Sequence, residues 1–118
     1  CYHICGDAKT ILKDMVETHP DMISVDNRVD MTFAKKIVGP YMPLVGNIDP
    51  VEIMILGNTS EVEEACKHCI KDSYDSENGF ILCTGCDLNG NVPLENLDTF
   101  MAAARKYGKY PVTEKNWN

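Results

Sequence analysis

The chain alternates short apolar segments with amphipathic helical segments, and this order constrains its fold more than any other feature. Apolar runs predict strands at residues 2–5, 22–26, 42–46 and 79–85. None shows the polar alternation of a strand with one face in water. Strands of this kind are typical of a parallel sheet covered by helices. The sequence therefore predicts an α/β fold of four βα units over residues 1–118.

Helical periodicity fills the intervals between the predicted strands. Asp7 and Asp30 are predicted N-caps of the first two helices, and "SEVE" at residues 60–63 is a predicted capping box for a longer one. A short helix is predicted after Pro50, and the last helix is predicted to begin at Pro93. The residues of the last helix that are expected to be buried are Leu97, Phe100, Met101 and Ala104.

Four βα units are half of the eight that close a (β/α)8 or TIM barrel, which needs about 250 residues. With 118 residues that start on a strand, the chain is expected to be a half-barrel fragment. An open half-barrel exposes two strand edges and an apolar interior. We therefore expect a homo-oligomer, in which two copies pair to close a pseudo-barrel.

Composition argues against two classes of function. A net charge of −7 disfavours nucleic-acid binding, because phosphate contacts need clustered Lys and Arg. The apolar runs span only a few residues, too few for a transmembrane helix or a signal peptide. The expected location is the cytoplasm. The six cysteines are therefore expected to be reduced, metal-bound or catalytic rather than paired in disulfides.

Two C-x-x-C pairs occur in different predicted settings. Cys66 and Cys69 lie on the apolar face of a predicted helix, which indicates a place in the core. Cys83 and Cys86 accompany the end of the fourth strand. There the pair is compatible either with a redox function or with half of a closed zinc site.

Metal ligands and polar groups follow the predicted strands, at the edge where α/β folds carry their functional residues. His3 and Cys5 share one face of a strand, because side chains two positions apart do, and they can bind one ion together. A third ligand must come from another strand end, and the fourth strand supplies thiols there. Asp26, Asn47 and Asp49 lie at the remaining ends, where each either contributes to a site or shapes a loop.

One nitrogen and two sulfur ligands suit Zn2+, with a fourth position open for substrate. Two thiolates neutralise the dication, so a substrate thiol bound there loses its proton yet remains nucleophilic. Alkyl transfer to a thiol is the chemistry that such a site favours. The competing interpretation is that a strand cysteine is simply a small buried residue.

Five short motifs occur in a specific order: "HICG" at 3–6, "ISVD" at 23–26, "GNIDP" at 46–50, "GCDL" at 85–88 and P-x-E-N at 93–96. Together they resemble the C-terminal half of the uroporphyrinogen decarboxylase superfamily. More closely, they resemble its branch of cobalamin-dependent methyltransferases, of the methylcobamide:coenzyme M methyltransferase type. The resemblance spans nearly the whole chain.

The resemblance implies a TIM barrel and a zinc ion held by His3, Cys5 and Cys86. This zinc would activate the thiol of a methyl acceptor such as coenzyme M. Asp26 and Asn47 would help to form the substrate pocket. Methylcobalamin would be carried by a separate corrinoid protein, because the chain lacks a D-x-H-x-x-G pattern. Cys83 occupies a position that the family does not use as a ligand, so it is expected to be structural.

Two alternatives remain. The first is a decarboxylase-like enzyme that acts on a tetrapyrrole without metal. It is disfavoured because those enzymes lack the H-x-C pair, and because the chain has only Arg28 and Arg105 to bind several carboxylates. The second is a non-catalytic half-barrel in which the cysteines only fill space. The N-terminal half would supply part of the pocket, so the chain alone is expected to be inactive.

Overall fold

The computed structural model describes residues 1–117, within which four strands and four α-helices alternate. The longest helix has 15 residues, and in the described part no helix is both long and apolar enough to cross a bilayer. The elements are β1 (Tyr2–Ile4), α1 (Leu12–Glu17), β2 (Ile23–Val25), α2 (Met31–Val38), β3 (Leu44–Ile48), α3 (Thr59–Ser73), β4 (Phe80–Thr84) and α4 (Leu94–Tyr107). Two 3-10 turns, Lys9–Ile11 and Glu114–Asn116, complete the set.

The strands form one sheet in the order β1-β2-β3-β4, and every neighbouring pair is parallel. This arrangement confirms the predicted fold class of four βα units. Because all the strands run in one direction, their carboxyl ends lie at a single edge, here called the carboxyl edge. The register pairs His3 with Ser24 across β1 and β2, and Asn47 with Cys83 across β3 and β4.

The hydrophobic core lies between the sheet and its helices. The central strands β2 and β3 contribute mostly buried residues, whereas the outer strands β1 and β4 are only half-buried. Continuous apolar sequence in the central strands is the expected result of burial on both faces. Fully buried side chains include Leu12, Ile23, Leu44, Met54 and Val62.

Two predictions around the third strand are wrong. β3 begins at Leu44 rather than residue 42, because the backbone N–H of Met42 still bonds the end of α2 and Pro43 has no N–H to give to a sheet. The segment after Pro50 forms turns rather than a helix. Asp49 Oδ1 accepts the backbone N–H groups that follow it, at 2.8 and 2.9 Å, and so fixes a tight turn.

The capping box predicted at residues 60–63 is also wrong, by two positions. Asn58 caps α3: its Oδ1 accepts the Glu61 N–H at 3.1 Å, and Glu61 Oε2 accepts the Asn58 N–H at 2.8 Å. The two possible boxes overlap in sequence. The one that starts earlier adds two residues to the start of α3.

The face predicted to be buried on helix α4 is only partly correct: Leu97 and Phe100 are half-buried against the core and Ala104 is half-buried, whereas Met101 is 47% exposed. The amide nitrogen of Asn96 donates to the carbonyls of Met54 and Gly57, at 3.0 and 2.9 Å. These bonds hold Asn96 against the segment after β3. The buried residues of α4 are Asn96, Ala103 and Tyr107.

Candidate metal centre

The residues after β1 and β4 meet at the carboxyl edge, although these are the two outer strands of the sheet. Cys5 follows β1, and Cys86 lies in the loop after β4. Their Sγ atoms are 3.5 Å apart, across 81 positions of sequence. The curvature of the sheet therefore brings together two chain segments that the strand order separates.

His3 completes a three-ligand cluster. Its Nε2 lies 3.4 Å from Cys5 Sγ, and the ligand atoms of His3, Cys5 and Cys86 all lie within 4.8 Å of one another. Zinc bonds of about 2.3 Å to sulfur and about 2.0 Å to nitrogen place tetrahedral ligands roughly 3.5–3.8 Å apart. The cluster is therefore of the right size and donor type for a tetrahedral zinc ion.

The orientation of the His3 ring leaves the correct nitrogen toward the thiols. Nδ1 lies 3.2 Å from the Ser24 carbonyl oxygen and 3.0 Å from Ser24 Oγ. In the tautomer that carries its proton on Nδ1, this nitrogen donates to Ser24, and the lone pair of Nε2 faces Cys5. Such a bond is the usual support for a metal-binding histidine, because it fixes both ring and tautomer.

The electrostatics of the thiol pair favour a cation between the sulfurs. Hydrogen bonding to Cys86 and repulsion by its charge raise the pKa of Cys5, and the nearby carboxylates of Asp26 and Asp87 add to the effect. Without a cation, the two thiols therefore resist becoming two thiolates together. A divalent metal reverses this preference, since it stabilises both deprotonated sulfurs.

Asp26 supports the cluster through the backbone. Its side chain is buried, with Oδ2 accepting the Gly6 N–H at 2.8 Å and Oδ1 accepting the Arg28 N–H at 3.0 Å. The first bond fixes the turn immediately after Cys5. Asp26 also lines the cleft beside Cys5 and Cys86, so the structure brings this predicted residue to the site.

The structure does not bring Asn47 to the three ligands. Its amide nitrogen donates to the backbone carbonyls of Asp26 and Val29, at 3.0 and 2.6 Å. It lines a separate depression that includes Cys69 and His68. These contacts favour a structural role in the loop after β2, and a direct role in substrate binding stays a prediction.

The loop that carries Cys86 is held by close backbone packing. The Gly85 N–H donates to the Ile48 carbonyl at 2.8 Å, and a Cβ on Gly85 would lie only 2.4 Å from Asn27 N. Thr84 Oγ1 donates to the Cys86 carbonyl at 2.8 Å. Glycine is therefore required there, because any side chain would displace the loop from the neighbouring one.

Ser24 and Gly85 are supporting residues that sequence reasoning missed. Parallel pairing of the first two predicted strands in register would have placed Ser24 opposite His3. Gly85 belongs to a quoted motif, but its contact with Asn27 depends on loop packing that no local pattern shows. Cys83 lines a groove with His3, Cys5 and Cys86, and it lies outside the three-ligand cluster.

A cleft of about 700 Å³ opens beside the thiols. Its size is that of a pocket for a small molecule. Arg28 is the one cationic residue in its lining, and carboxylates supply most of the charge. The acidic residues of the lining are Asp26, Asp49, Glu52 and Asp87.

Comparison with known proteins agrees with this architecture. Methylcobamide:CoM methyltransferase MtbA of Methanosarcina mazei is 36% identical over 105 residues, which are 89% of this chain and 29% of that protein. Methylcobamide:CoM methyltransferase MtaA of Methanosarcina barkeri is 30% identical over 106 residues, 89% of this chain and 30% of the relative. A solved structure described as a methyltransferase from Methanosarcina mazei matches with a TM-score of 0.80 and 26% identity, covering 90% of this chain and 30% of that one.

The chain thus spans about 30% of the length of these relatives. The match confirms the predicted resemblance and the predicted half-barrel fold. The profile of the uroporphyrinogen decarboxylase (URO-D) family matches residues 1–107. The chain therefore belongs to the uroporphyrinogen decarboxylase family and is similar to its methylcobamide:CoM methyltransferases.

Proposed function

We propose that this chain supplies the zinc-binding part of a methyltransferase that moves a methyl group between a corrinoid and a thiol such as coenzyme M. The observation that carries the proposal is the convergence of His3, Cys5 and Cys86 from two outer strands within 4.8 Å. Similarity to methylcobamide:CoM methyltransferases supports the same chemistry.

When bound by these residues, zinc would act as a Lewis acid that lowers the pKa of an acceptor thiol in the open fourth position. His3 contributes a neutral nitrogen, held in its tautomer by Ser24. The two cysteines balance the charge of the dication, so the acceptor sulfur keeps the electron density that nucleophilic attack needs.

In the proposed transfer, the deprotonated acceptor sulfur would take the methyl group from the corrinoid substrate, whose cobalt would keep the electron pair of the broken bond. The thiol proton would go to solvent. Asp26 serves this step indirectly, because its bond to the Gly6 N–H fixes the turn that follows Cys5. The corrinoid would be presented by a partner corrinoid protein at the carboxyl edge.

A metal-free decarboxylase is the weaker candidate, and the charge of the cleft argues against it. A tetrapyrrole with several carboxylates would meet four acidic side chains and one arginine in the lining. Like charges of this kind lower affinity. Such an enzyme would also have no use for three metal ligands at one point.

Metal analysis tests the proposal directly. We expect about one zinc per chain in protein purified without chelator and a near-complete loss in Cys86→Ser. Cys83→Ser is the matched control, because it removes the other thiol of the same C-x-x-C pair, and it should keep its zinc. Absence of zinc from the unmodified chain, or equal loss in both variants, would contradict the proposed ligand set.

Cobalt substitution adds a readout of the fourth position. Thiolate-to-cobalt absorption should appear in the unmodified chain and change when a small thiol is added. A spectrum that stays constant on addition of thiol would contradict an open position for the acceptor. Self-association, predicted from the open edges of β1 and β4, stays a prediction that sedimentation can test.

A further inference from the structure

The two sulfurs of the candidate metal centre are also positioned to react with each other. Cys5 Sγ and Cys86 Sγ are 3.5 Å apart, and in residues 1–117 they are the one pair of cysteines joined by a hydrogen-bond contact. A disulfide has a sulfur–sulfur bond of about 2.0 Å. Rotation of the two side chains therefore has to bring the sulfur atoms about 1.5 Å closer together.

Both thiols are accessible to small oxidants. Cys5 is exposed, and Cys86 is half-buried on the wall of the cleft. Cys66 and Cys69, by contrast, are buried among core side chains. A peroxide oxidises only the thiols that it can reach, so accessibility favours reaction at the carboxyl edge over the buried pair.

We propose that Cys5 and Cys86 form a reversible disulfide when the metal-free protein meets a hydroperoxide, and that this crosslink is an off-state of the metal centre. The crosslink rests on the sulfur geometry alone. Its regulatory meaning rests on the proposed function, because one oxidation would remove two of the three ligands at once.

The chemistry balances with the hydroperoxide as two-electron oxidant. The sulfur of one cysteine attacks the terminal oxygen, the O–O bond breaks, and an alcohol (water, in the case of hydrogen peroxide) leaves with a sulfenic acid formed. The second sulfur attacks the first, the S–O bond breaks, and water leaves. Overall, two thiols and one hydroperoxide give a disulfide, one alcohol and one water. An added dithiol reverses the crosslink by exchange.

The pairing differs from the one that sequence spacing favours. Cys83 and Cys86 form the C-x-x-C pair in which a redox disulfide is usually sought. The structure instead places Cys86 against Cys5, which directly follows Ile4, the last residue of β1. A disulfide between Cys5 and Cys86 would therefore join the two outer strands of the sheet.

Peptide mapping of the oxidised chain tests the pairing. Metal-free, reduced protein is treated with hydrogen peroxide, alkylated and digested with trypsin without reductant. Cys5 falls in peptide 1–9 and Cys86 in peptide 72–105. We expect a linked 1–9/72–105 species in the unmodified chain and in a Cys1→Ser/Cys83→Ser control, and its loss in Cys86→Ser. A disulfide within peptide 72–105, or sulfinic acid without any crosslink, would overturn the proposal.

Adding zinc before the peroxide distinguishes a failure of this inference from a failure of the proposed function. One equivalent of zinc added before peroxide should slow crosslinking at least tenfold, because both sulfurs would then be held by the metal. Binding of zinc without protection would overturn the off-state. Crosslinking in a chain that binds no zinc would support the sulfur pairing and contradict the proposed function.

Discussion

The two C-x-x-C pairs of this chain share one spacing and have opposite surroundings. Cys66 and Cys69 lie in α3 and are 0% and 6% exposed, and burial raises the pKa of each to about 12. Cys83 and Cys86 lie at the end of β4, half-buried, beside open clefts. One pair is part of the core, and the other is part of a candidate site.

The secondary structure that carries each pair explains the difference. Residues three apart on a helix share a face, and this face of α3 packs against the sheet. Cys69 is held further by its sulfur, which donates to the Gly46 carbonyl at 3.3 Å. After a parallel strand, the same spacing spans a loop at the carboxyl edge. The element, rather than the spacing, therefore decides what a C-x-x-C pair can do.

Alkylation rates give the largest expected contrast. At pH 8, a thiol with a pKa of about 12 has roughly a thousandfold less thiolate than one with its usual pKa. We expect iodoacetamide to label Cys66 and Cys69 about a thousandfold more slowly in the folded protein than in urea, and the accessible Cys83 and Cys86 far faster than that buried pair, as measured by mass spectrometry of time-resolved digests. In urea all should react alike. Comparable labelling rates for the two C-x-x-C pairs in the folded protein would contradict the contrast between them.

The second-largest expected difference between the two C-x-x-C pairs is in the pH dependence of stability. The pKa values of Cys66 and Cys69 are raised by folding, so the folded protein keeps protons that the unfolded chain has lost. Stability should therefore fall as pH rises through the window from about 9 to about 12. We expect these two thiols together to lower the free energy of unfolding by about 3 kcal/mol by pH 10.

Urea unfolding in the presence of reductant measures this loss. A Cys66→Ala/Cys69→Ala variant should lack this component of the decline above pH 9, whatever its stability at pH 7. Cys83→Ala is the control and should keep the full decline. If the double variant declined as steeply as the unmodified chain, then burial of these thiols would not be the cause.

The smallest expected effect concerns the support of the candidate site. Ser24→Ala removes the side-chain oxygen beside His3 Nδ1 and leaves the carbonyl. Loss of such a supporting bond typically lowers metal affinity tenfold or more. We expect about a tenfold weaker zinc affinity, measured by competition with a chelator. Ser60→Ala, at an exposed serine of α3, should have no effect. Equal zinc affinities for the two variants would contradict a supporting role of the Ser24 side chain.

Much of the fold was predictable because its signals are local. Apolar runs located all four strands, and Asp30 was correctly predicted to cap α2, where its Oδ1 accepts the Phe33 N–H at 2.7 Å. The errors occur where distant contacts override local preference. On α4, Asn96 is buried because its amide bonds a turn some 40 positions earlier, a contact that no local pattern shows, whereas Met101 is exposed.

The candidate site, like the fold, was predictable only where the sequence signal is local. The shared face of His3 and Cys5 follows from strand geometry, whereas the choice of Cys86 over Cys83 came from family resemblance. Only the structure shows Cys86 in contact with Cys5. The surroundings of Asn47 could not be predicted for a physical reason: its position at a strand end does not reveal that its amide donates to two backbone carbonyls.

The distance along the chain between Cys5 and Cys86 has a consequence for the order of events in folding. Contacts separated by 81 positions form only after the intervening segments are organised, because each long closure costs entropy that local contacts do not. The three ligands therefore come together only when both β1 and β4 are in place in the sheet. The appearance of a cobalt or zinc signal during refolding would time the arrival of the last strand beside the first.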